Sequence, residues 1–199
     1  MQDHVDTFLE VTAHIALMLD RSAVRDLVKA LVTLRAARGR LFIFGFGGSA
    51  GNASHAAADF RRLTGIECWC PLDNTSELTA AINDDGWEYA LVQLLRTSRL
   101  SARDAVLVLS VGGGDLERCI SVPLINMMTY AKQQGARILG IVGRDGGATA
   151  RMADVCVLVP QPSSSMVTMH TEAFQAVVWH LLVCHPALNV RLGMWESVT

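Results

Sequence analysis

The sequence predicts an α/β fold in which a parallel sheet of about five strands lies between two layers of helices, a three-layer α/β/α sandwich. Short, nearly continuous apolar runs recur along the chain, and helical patterns separate them. The runs cover residues 41–44, 66–70, 105–110, 137–142 and 155–160. Unbroken apolar runs are typical of strands buried on both faces, and their alternation with helices predicts right-handed crossovers between parallel strands.

Helical patterns account for most of the remaining chain. Two of them precede the first strand, and we expect these N-terminal helices, within residues 1–39, to pack on the sheet or on neighbouring subunits. The patterns cover residues 5–19, 22–37, 51–63, 76–95, 116–134, 148–153 and 168–184. A chain of 199 residues suits one domain, and we expect residues 1–199 to form it.

Composition limits the choice of partner and location. Hydrophobic residues make up 51% of the chain and charged residues only 18%, so we expect further copies of the chain to cover part of the apolar surface. A net charge of −2 without a basic cluster argues against nucleic acid as the main partner. The acidic start and the lack of an apolar run of about 18 residues predict a cytoplasmic protein without a membrane span. The five cysteines, odd in number, favour reduced thiols.

A glycine-rich loop follows the first predicted strand and opens a helix. Gly45, Gly47 and Gly48 allow a tight turn, and the Ser49 hydroxyl with the free N–H groups of the helix start favours phosphate as a ligand. A tight strand–helix turn without a ligand is the alternative. Glycines also follow the third and fourth strands, at residues 112–114 and 143–147. Because ligands of a parallel sheet sit beyond the carboxyl ends of its strands, three such loops predict one anion site.

Two helices carry side chains capable of acid–base or metal chemistry. His55 and Asp59 are four residues apart and share a helix face, as an acid–base pair, a metal-binding pair or a solvent-exposed hydrogen-bonded pair. On the last predicted helix, Glu172 and His180 are two turns apart in a largely apolar stretch and can face the same cleft.

These motifs resemble the sugar isomerase (SIS) domain family, in particular its phosphoheptose isomerases, over most of the chain. That family carries a G-N-G-G-S-A loop, H-x-x-x-E on the next helix, an N-D pair, an S-x-S-G-x-S phosphate loop, a G-x-x-G-G turn and Q-x₇-H on the last helix. The matching segments here are residues 45–50, His55 with Asp59, Asn83-Asp84, residues 110–115, residues 143–147, and Glu172 with His180.

The resemblance implies a five-stranded, flavodoxin-like SIS sandwich, a homotetramer, and roles for individual residues. Asp59 would be the base and His180 the acid in an enediol proton transfer, and Zn²⁺, where bound, would be held by His55, Asp59, Glu172 and His180. The substrate and its phosphate would contact the glycine loops and the N-D pair: Gly47, Gly48, Ser49, Asn83, Asp84, Ser110, Gly112, Gly113 and Gly114.

The chain departs from the family pattern at several of these positions. Asp59 stands for the family's glutamate, and an alignment anchored on Thr64-Gly65 would place Arg62 there instead; both alignments stay open. Gly112 and Asp115 replace hydroxyl residues of the second phosphate loop, so a carboxylate lies where phosphate is expected unless it turns away or meets a cation. Asp84 and Asp85 can bind sugar hydroxyls or cap a helix before Trp87, and Arg144 can contact a ligand or pair with Asp145.

The function implied by the resemblance is a ketose–aldose isomerase of a phosphorylated sugar. Sedoheptulose 7-phosphate is the expected substrate, and the product would serve heptose synthesis for surface polysaccharide. Two alternatives remain, namely a non-catalytic module that binds and senses phosphosugars, and an isomerase of a different sugar phosphate.

Overall fold

A computed structural model describes residues 3–198 of the chain. Five parallel strands form one sheet in the order β2-β1-β3-β4-β5. The strands are β1 (Arg40–Phe44), β2 (Glu67–Trp69), β3 (Ala105–Ser110), β4 (Arg137–Val142) and β5 (Val155–Leu158). Each strand matches one predicted apolar run, and the strand order is that of flavodoxin-like folds. The fold prediction is confirmed.

Helices cover both faces of the sheet. They are α1 (His4–Met18), α2 (Arg21–Ala36), α3 (Gly48–Asp59), α4 (Thr75–Asp85), α5 (Ala90–Thr97), α6 (Val122–Gln133), α7 (Gly147–Met152) and α8 (Val167–Cys184). A π-helical segment, Phe60–Thr64, continues α3. Within the described chain, no helix is both long and apolar enough to cross a bilayer.

Side chains of the strands contribute to two separate hydrophobic cores, one on each face of the sheet. In β1, Leu41 and Ile43 face the core formed with α2, α3 and α8, whereas Phe42 and Phe44 face the core formed with α5 and α6. This alternation is the two-residue period of a strand, and both faces are apolar because both are covered. The first core also contains Trp179 of α8, which is fully buried.

The N-terminal helices differ in how much they bury. α2 packs on the first core through Leu27 and Leu31, both fully buried. α1 buries only Ile15 among its residues, and Leu9 and Leu17 stay exposed. α1 therefore exposes several apolar side chains to solvent in the isolated chain.

Two predicted helices were wrong in extent. Residues 76–95 form two helices, because α4 ends at Gly86, whose φ of +80° favours glycine. Residues 116–121 are not helical: Asp115 and Ile120 pair in a short antiparallel bridge, and α6 begins only beside Pro123. Proline suits the first turn of a helix, where its missing N–H has no intrahelical partner.

A buried ion pair joins the amino ends of the central strands. Asp104, 3% exposed, precedes β3 and accepts hydrogen bonds from the backbone and guanidinium of Arg40 and from Ser101. Burial alone would raise the pKa of Asp104, but these hydrogen bonds outweigh it and hold the pKa below its ordinary value. The pair fixes β1 against β3 at the sheet edge opposite the glycine loops.

Replacement of Asp104 by Asn should lower the free energy of unfolding by about 3 kcal/mol, because it leaves a partly buried guanidinium without its charge partner. The pKa of Asp104 is lower in the folded than in the unfolded chain, so its contribution is present above the unfolded-state pKa of about 3.9 and is lost as pH falls through and below that value. Urea unfolding of both proteins between pH 7 and pH 3 should show the difference shrink in that window. Asp26→Asn, which breaks an exposed pair with Lys29, is the control and should cost under about 1 kcal/mol. Equal effects of the two substitutions would contradict the assignment.

Candidate functional site

A large cavity lies at the carboxyl end of the sheet, where the glycine loops after β1, β3 and β4 meet. Its volume is about 1240 Å³. Ser49, Ser110, Gly112 and Gly114 line it, as do Phe46, Asp115 and Gly147. The convergence of the three loops on one site, expected from the sequence, is present in the structure.

Ser49 supplies a hydroxyl without a partner. Its side chain is 1% exposed, its Oγ has no hydrogen-bond partner among the described residues, and it lies in the first turn of α3. Gly47, with a φ of +60°, makes the turn that starts this helix. A buried hydroxyl without a partner is costly unless a ligand satisfies it, and the positive end of a helix favours an anion.

The loop after β3 is held to the next loop by its backbone. The N–H of Gly113 donates to Ser110 Oγ over 3.0 Å, and the carbonyls of Gly113 and Gly114 accept from Thr149 and Ala148. The Gly113 N–H is therefore used inside the loop instead of pointing to a ligand. Of the three predicted phosphate-binding glycines here, Gly112 and Gly114 line the cavity.

Helices α3 and α8 pack side by side in parallel. Gly48 contacts Glu172, Asn52 donates to the Glu172 carbonyl over 2.9 Å and to Gln175 Oε1 over 3.1 Å, and the ring of His55 lies 4.7 Å from Trp179. The contacting residues have increasing numbers on both helices in the same direction, so the helices are parallel. The N-termini of both therefore lie at the end near the cavity. Gly48, Asn52, His55 and Asp59 are spaced by four, three and four residues and share one face of α3.

Three predicted ligands come together further along this helix pair. His55 Nε2 lies 3.6 Å from Asp59 Oδ2, and the donor atoms of His55, Asp59 and His180 all lie within 4.8 Å of one another. His180 Nδ1 is 2.8 Å from the Ala176 carbonyl, so Nδ1 carries the hydrogen in the neutral ring and Nε2 is the free ligand atom. Two imidazoles and a carboxylate in this arrangement can bind Zn²⁺ with an open fourth position, or transfer protons.

Glu172 does not belong to this group. Its carboxylate lies against Gly48, where an added Cβ would come 2.3 Å from Glu172 Oε2. The position suits a carboxylate, because the N-terminus of α3 stabilises negative charge. The predicted set of four zinc ligands is thus reduced to His55, Asp59 and His180 in this structure.

The two candidates for the base position lie in different surroundings. Asp59 ends α3 beside His55 and is half-buried, whereas Arg62 is exposed and lies in the π-helical segment. The alignment anchored on Ser49 and His55 therefore agrees with the geometry.

Asn83 and Asp84 lie apart from the cavity. Both are exposed in the last turn of α4 and hydrogen-bond to each other over 2.8 Å. Neither lines the described cavity. The alternative that Asp84 and Asp85 cap a helix before Trp87 was wrong, because they end α4 and α5 begins only at Ala90.

Sequence reasoning missed several residues around the cavity. Arg118, Arg151 and Gln161 line it together with Arg144, which had been considered a ligand contact. Asn52, which joins α3 to α8, had also been missed. Its spacing of three residues before His55 was the available signal, since it places a polar side chain on the stripe that faces α8.

A five-stranded α/β/α sandwich with glycine loops at its carboxyl edge is the architecture of sugar isomerase (SIS) domains, and comparison with known proteins supports that assignment. No model of a known protein family matches the chain. The phosphoheptose isomerase of Sulfurimonas denitrificans is 32% identical over 149 residues, which cover 72% of this chain and 73% of that protein. The lincomycin biosynthesis protein LmbN of Streptomyces lincolnensis is 32% identical over 144 residues, 69% of this chain but only 52% of LmbN, so the match spans about half of that relative.

Comparison with solved structures finds the same fold. The structure of a phosphoheptose isomerase from Francisella tularensis superposes with a TM-score of 0.80 at 18% identity, covering 92% of this chain and 97% of that one, which shows the shared fold. The chain belongs to the phosphoheptose isomerase family.

Replacement of Gly113 by Ala should disrupt the cavity floor. Gly113 has a φ of +71°, and an added Cβ would lie 1.9 Å from the Gly146 carbonyl, so we expect a loss of about 3 kcal/mol in unfolding free energy. Gly65→Ala is the matched control: φ is +69°, but the nearest atom to its Cβ is 3.8 Å away, and backbone strain of about 1 kcal/mol should remain. Chemical denaturation measures both. Similar losses would show that the interlocked loops do not matter for stability.

Proposed function

We propose that the protein is a ketose–aldose isomerase of a phosphorylated sugar, with sedoheptulose 7-phosphate as substrate. The observation that supports the proposal best is that the anion cavity and the His/Asp/His group lie on the same helix pair. Ser49 lies in the first turn of α3, and at 1.5 Å per residue His55 and Asp59 follow about 9 Å and 15 Å further along its axis. In this proposal the sugar places its phosphate at the helix start and extends its carbonyl end toward the cluster, whose three residues lie outside the lining of the cavity itself.

In the proposed reaction, Asp59 and His180 divide the proton transfers. The Asp59 carboxylate removes a proton from C1 of the ketose and returns it to C2, through an enediol. His180 Nε2, with Nδ1 held by the Ala176 carbonyl, moves the proton that leaves the C1 hydroxyl and reaches the C2 oxygen. The product is the aldose with the phosphate unchanged.

The same three side chains suit a metal ion. His55, Asp59 and His180 would hold Zn²⁺, which when bound would supply polarisation of the sugar carbonyl; His180 Nε2 would then bind the ion instead of carrying the proton. Asp59 offers two oxygens, so one can bind the ion while the other faces the substrate. The fit rests on the donor types and on their separation.

We further propose a cytoplasmic homotetramer. The exposed apolar side chains of α1 and α8, including Leu9, Leu17, Met169 and Val177, support association between copies. The five unpaired thiols are compatible with a reducing compartment, and burial raises the pKa of Cys70 to about 12 and of Cys156 to about 11, which keeps both protonated. Light scattering of the purified protein gives the subunit number.

Asp59→Asn should abolish turnover while the fold is retained, because an amide cannot accept the C1 proton. The assay incubates the purified protein with sedoheptulose 7-phosphate, with and without added zinc, and follows the appearance of the aldose. Rates should fall at least about 10²-fold, the lower range for loss of a general base.

Glu67→Gln, an exposed carboxylate on β2, is the control and should keep full activity. Absence of turnover by the unmodified protein under both conditions would defeat the proposal for this substrate. Sugar phosphate binding without turnover, insensitive to Asp59→Asn, would instead support a non-catalytic sensor.

Zinc analysis separates the ligands from their neighbours. We expect one zinc per chain in the purified protein, lost in His55→Ala and His180→Ala. Glu172→Gln should retain it, because the Glu172 carboxylate lies against Gly48 and outside the His/Asp/His group. Loss of zinc in the Glu172 variant, with retention in the His180 variant, would contradict this ligand set.

A further inference from the structure

We propose that the Arg144 side chain binds the phosphate of the substrate, in place of the hydroxyl groups that the loop after β3 lacks. The inference rests on the proposed function and names the residue that selects its phosphorylated substrate. Arg144 directly follows β4 and lines the cavity with Ser49 and Ser110. A guanidinium offers several N–H donors in a planar fork that matches phosphate oxygens.

Gly112 makes room for this arginine. The Cδ of Arg144 lies 3.3 Å from the position that a Cβ on Gly112 would take, so the aliphatic part of the side chain passes directly over the glycine. A serine here would offer a hydroxyl but would press on the arginine. The Arg144 side chain therefore crosses the loop after β3 at Gly112, where a side chain with a hydroxyl group would compete with it for space.

Arg144 makes no internal contact that would account for its position. Among the described residues it forms no ion pair and no side-chain hydrogen bond, and in particular it does not pair with Asp145. Its φ of +52° lies in the left-handed region, which is unfavourable for a residue with a side chain. Arg38 and Arg99 have the same φ outside the cavity lining, so the backbone conformation alone does not mark a ligand site.

Asp115, one of the carboxylates that line the cavity, is directed toward Arg118. Asp115 Oδ1 accepts the backbone N–H of Arg118 over 3.1 Å, and Asp115 Oδ2 lies 3.7 Å from Arg118 Nε. Asp115 thus turns into its own hairpin and uses the charge of Arg118. Arg144 consequently keeps its charge for a ligand, whereas Arg118 is already paired.

A second observation also points to an anion at this place. The Ser49 hydroxyl is buried and unpartnered in the same cavity, and Gln161 Nε2 is likewise buried without a partner among the described residues. Both can donate a hydrogen bond to an anion, and the start of α3 adds its dipole. Phosphate held by Arg144, Ser49 and Gln161 would satisfy all three donors.

The test is binding of inorganic phosphate to the full chain, measured by isothermal titration calorimetry. Arg144→Gln should weaken phosphate binding at least about tenfold, as expected for loss of a charge-assisted hydrogen bond. The phosphate affinity of Arg144→Lys should lie between those of the unmodified protein and Arg144→Gln. Arg99→Gln is the matched control: Arg99 is also an exposed arginine with φ of +52°, but it does not line the cavity. It should bind phosphate as the unmodified protein does. Thermal melting of each variant verifies that it is folded.

Three outcomes would overturn the inference: no phosphate binding by the unmodified protein, unchanged binding by Arg144→Gln, or an equal loss in Arg99→Gln. The sugar isomerase proposal is judged separately by turnover. Phosphate binding that depends on Arg144, without turnover, would support the anion site and reject the isomerase proposal. Turnover with a Michaelis constant that does not change in the Arg144 variants would support the isomerase proposal and reject Arg144 as the phosphate-binding residue.

Discussion

The close parallel packing of α3 on α8 is the constraint on which the site depends. At Gly48 the Glu172 carboxylate occupies the space that a Cβ would take, so a larger residue there would displace the end of that side chain. Asn52 then joins the helices by two hydrogen bonds, and His55 packs against Trp179 one turn later. The register given by these contacts together brings His180 beside His55 and Asp59.

A second constraint acts between the loops. The loops that contain Gly113 and Gly147 are so close that a Cβ on either glycine would collide with the backbone of the other loop. The Thr149 hydroxyl also donates a hydrogen bond to the Gly113 carbonyl. Hydrogen bonds between the β3 and β4 loops thus fix the cavity floor relative to the sheet. The walls, by contrast, come from long side chains and from the hairpin at residues 115–120.

The architecture could be predicted from the sequence because each buried strand is a short unbroken apolar run, and glycine or proline marks most helix ends. The helix predicted from residue 116 was wrong because the apolar spacing of Leu116 and Ile120 also fits a hairpin, stabilised by the Asp115 side chain. The i, i+4 rule placed His55 beside Asp59. It could not place Glu172, whose position depends on how closely two helices approach, a property of tertiary packing and not of spacing along one helix.

The position of Glu172 also affects the charge of the cavity. A carboxylate beside the N-terminus of α3 takes up part of the positive potential that would otherwise serve a phosphate. Asp145 adds a second negative charge to the wall. Residues 112 and 115 offer no hydroxyl, so the helix dipole and the remaining serine hydroxyls would compensate the charge of a phosphate dianion only in part. The carboxylates in the cavity wall would also repel that dianion. Arg144 and Arg151, both without an ion-pair partner in the described chain, supply the missing positive charge. The proposed phosphate site would thus depend on charge more than on hydroxyl groups.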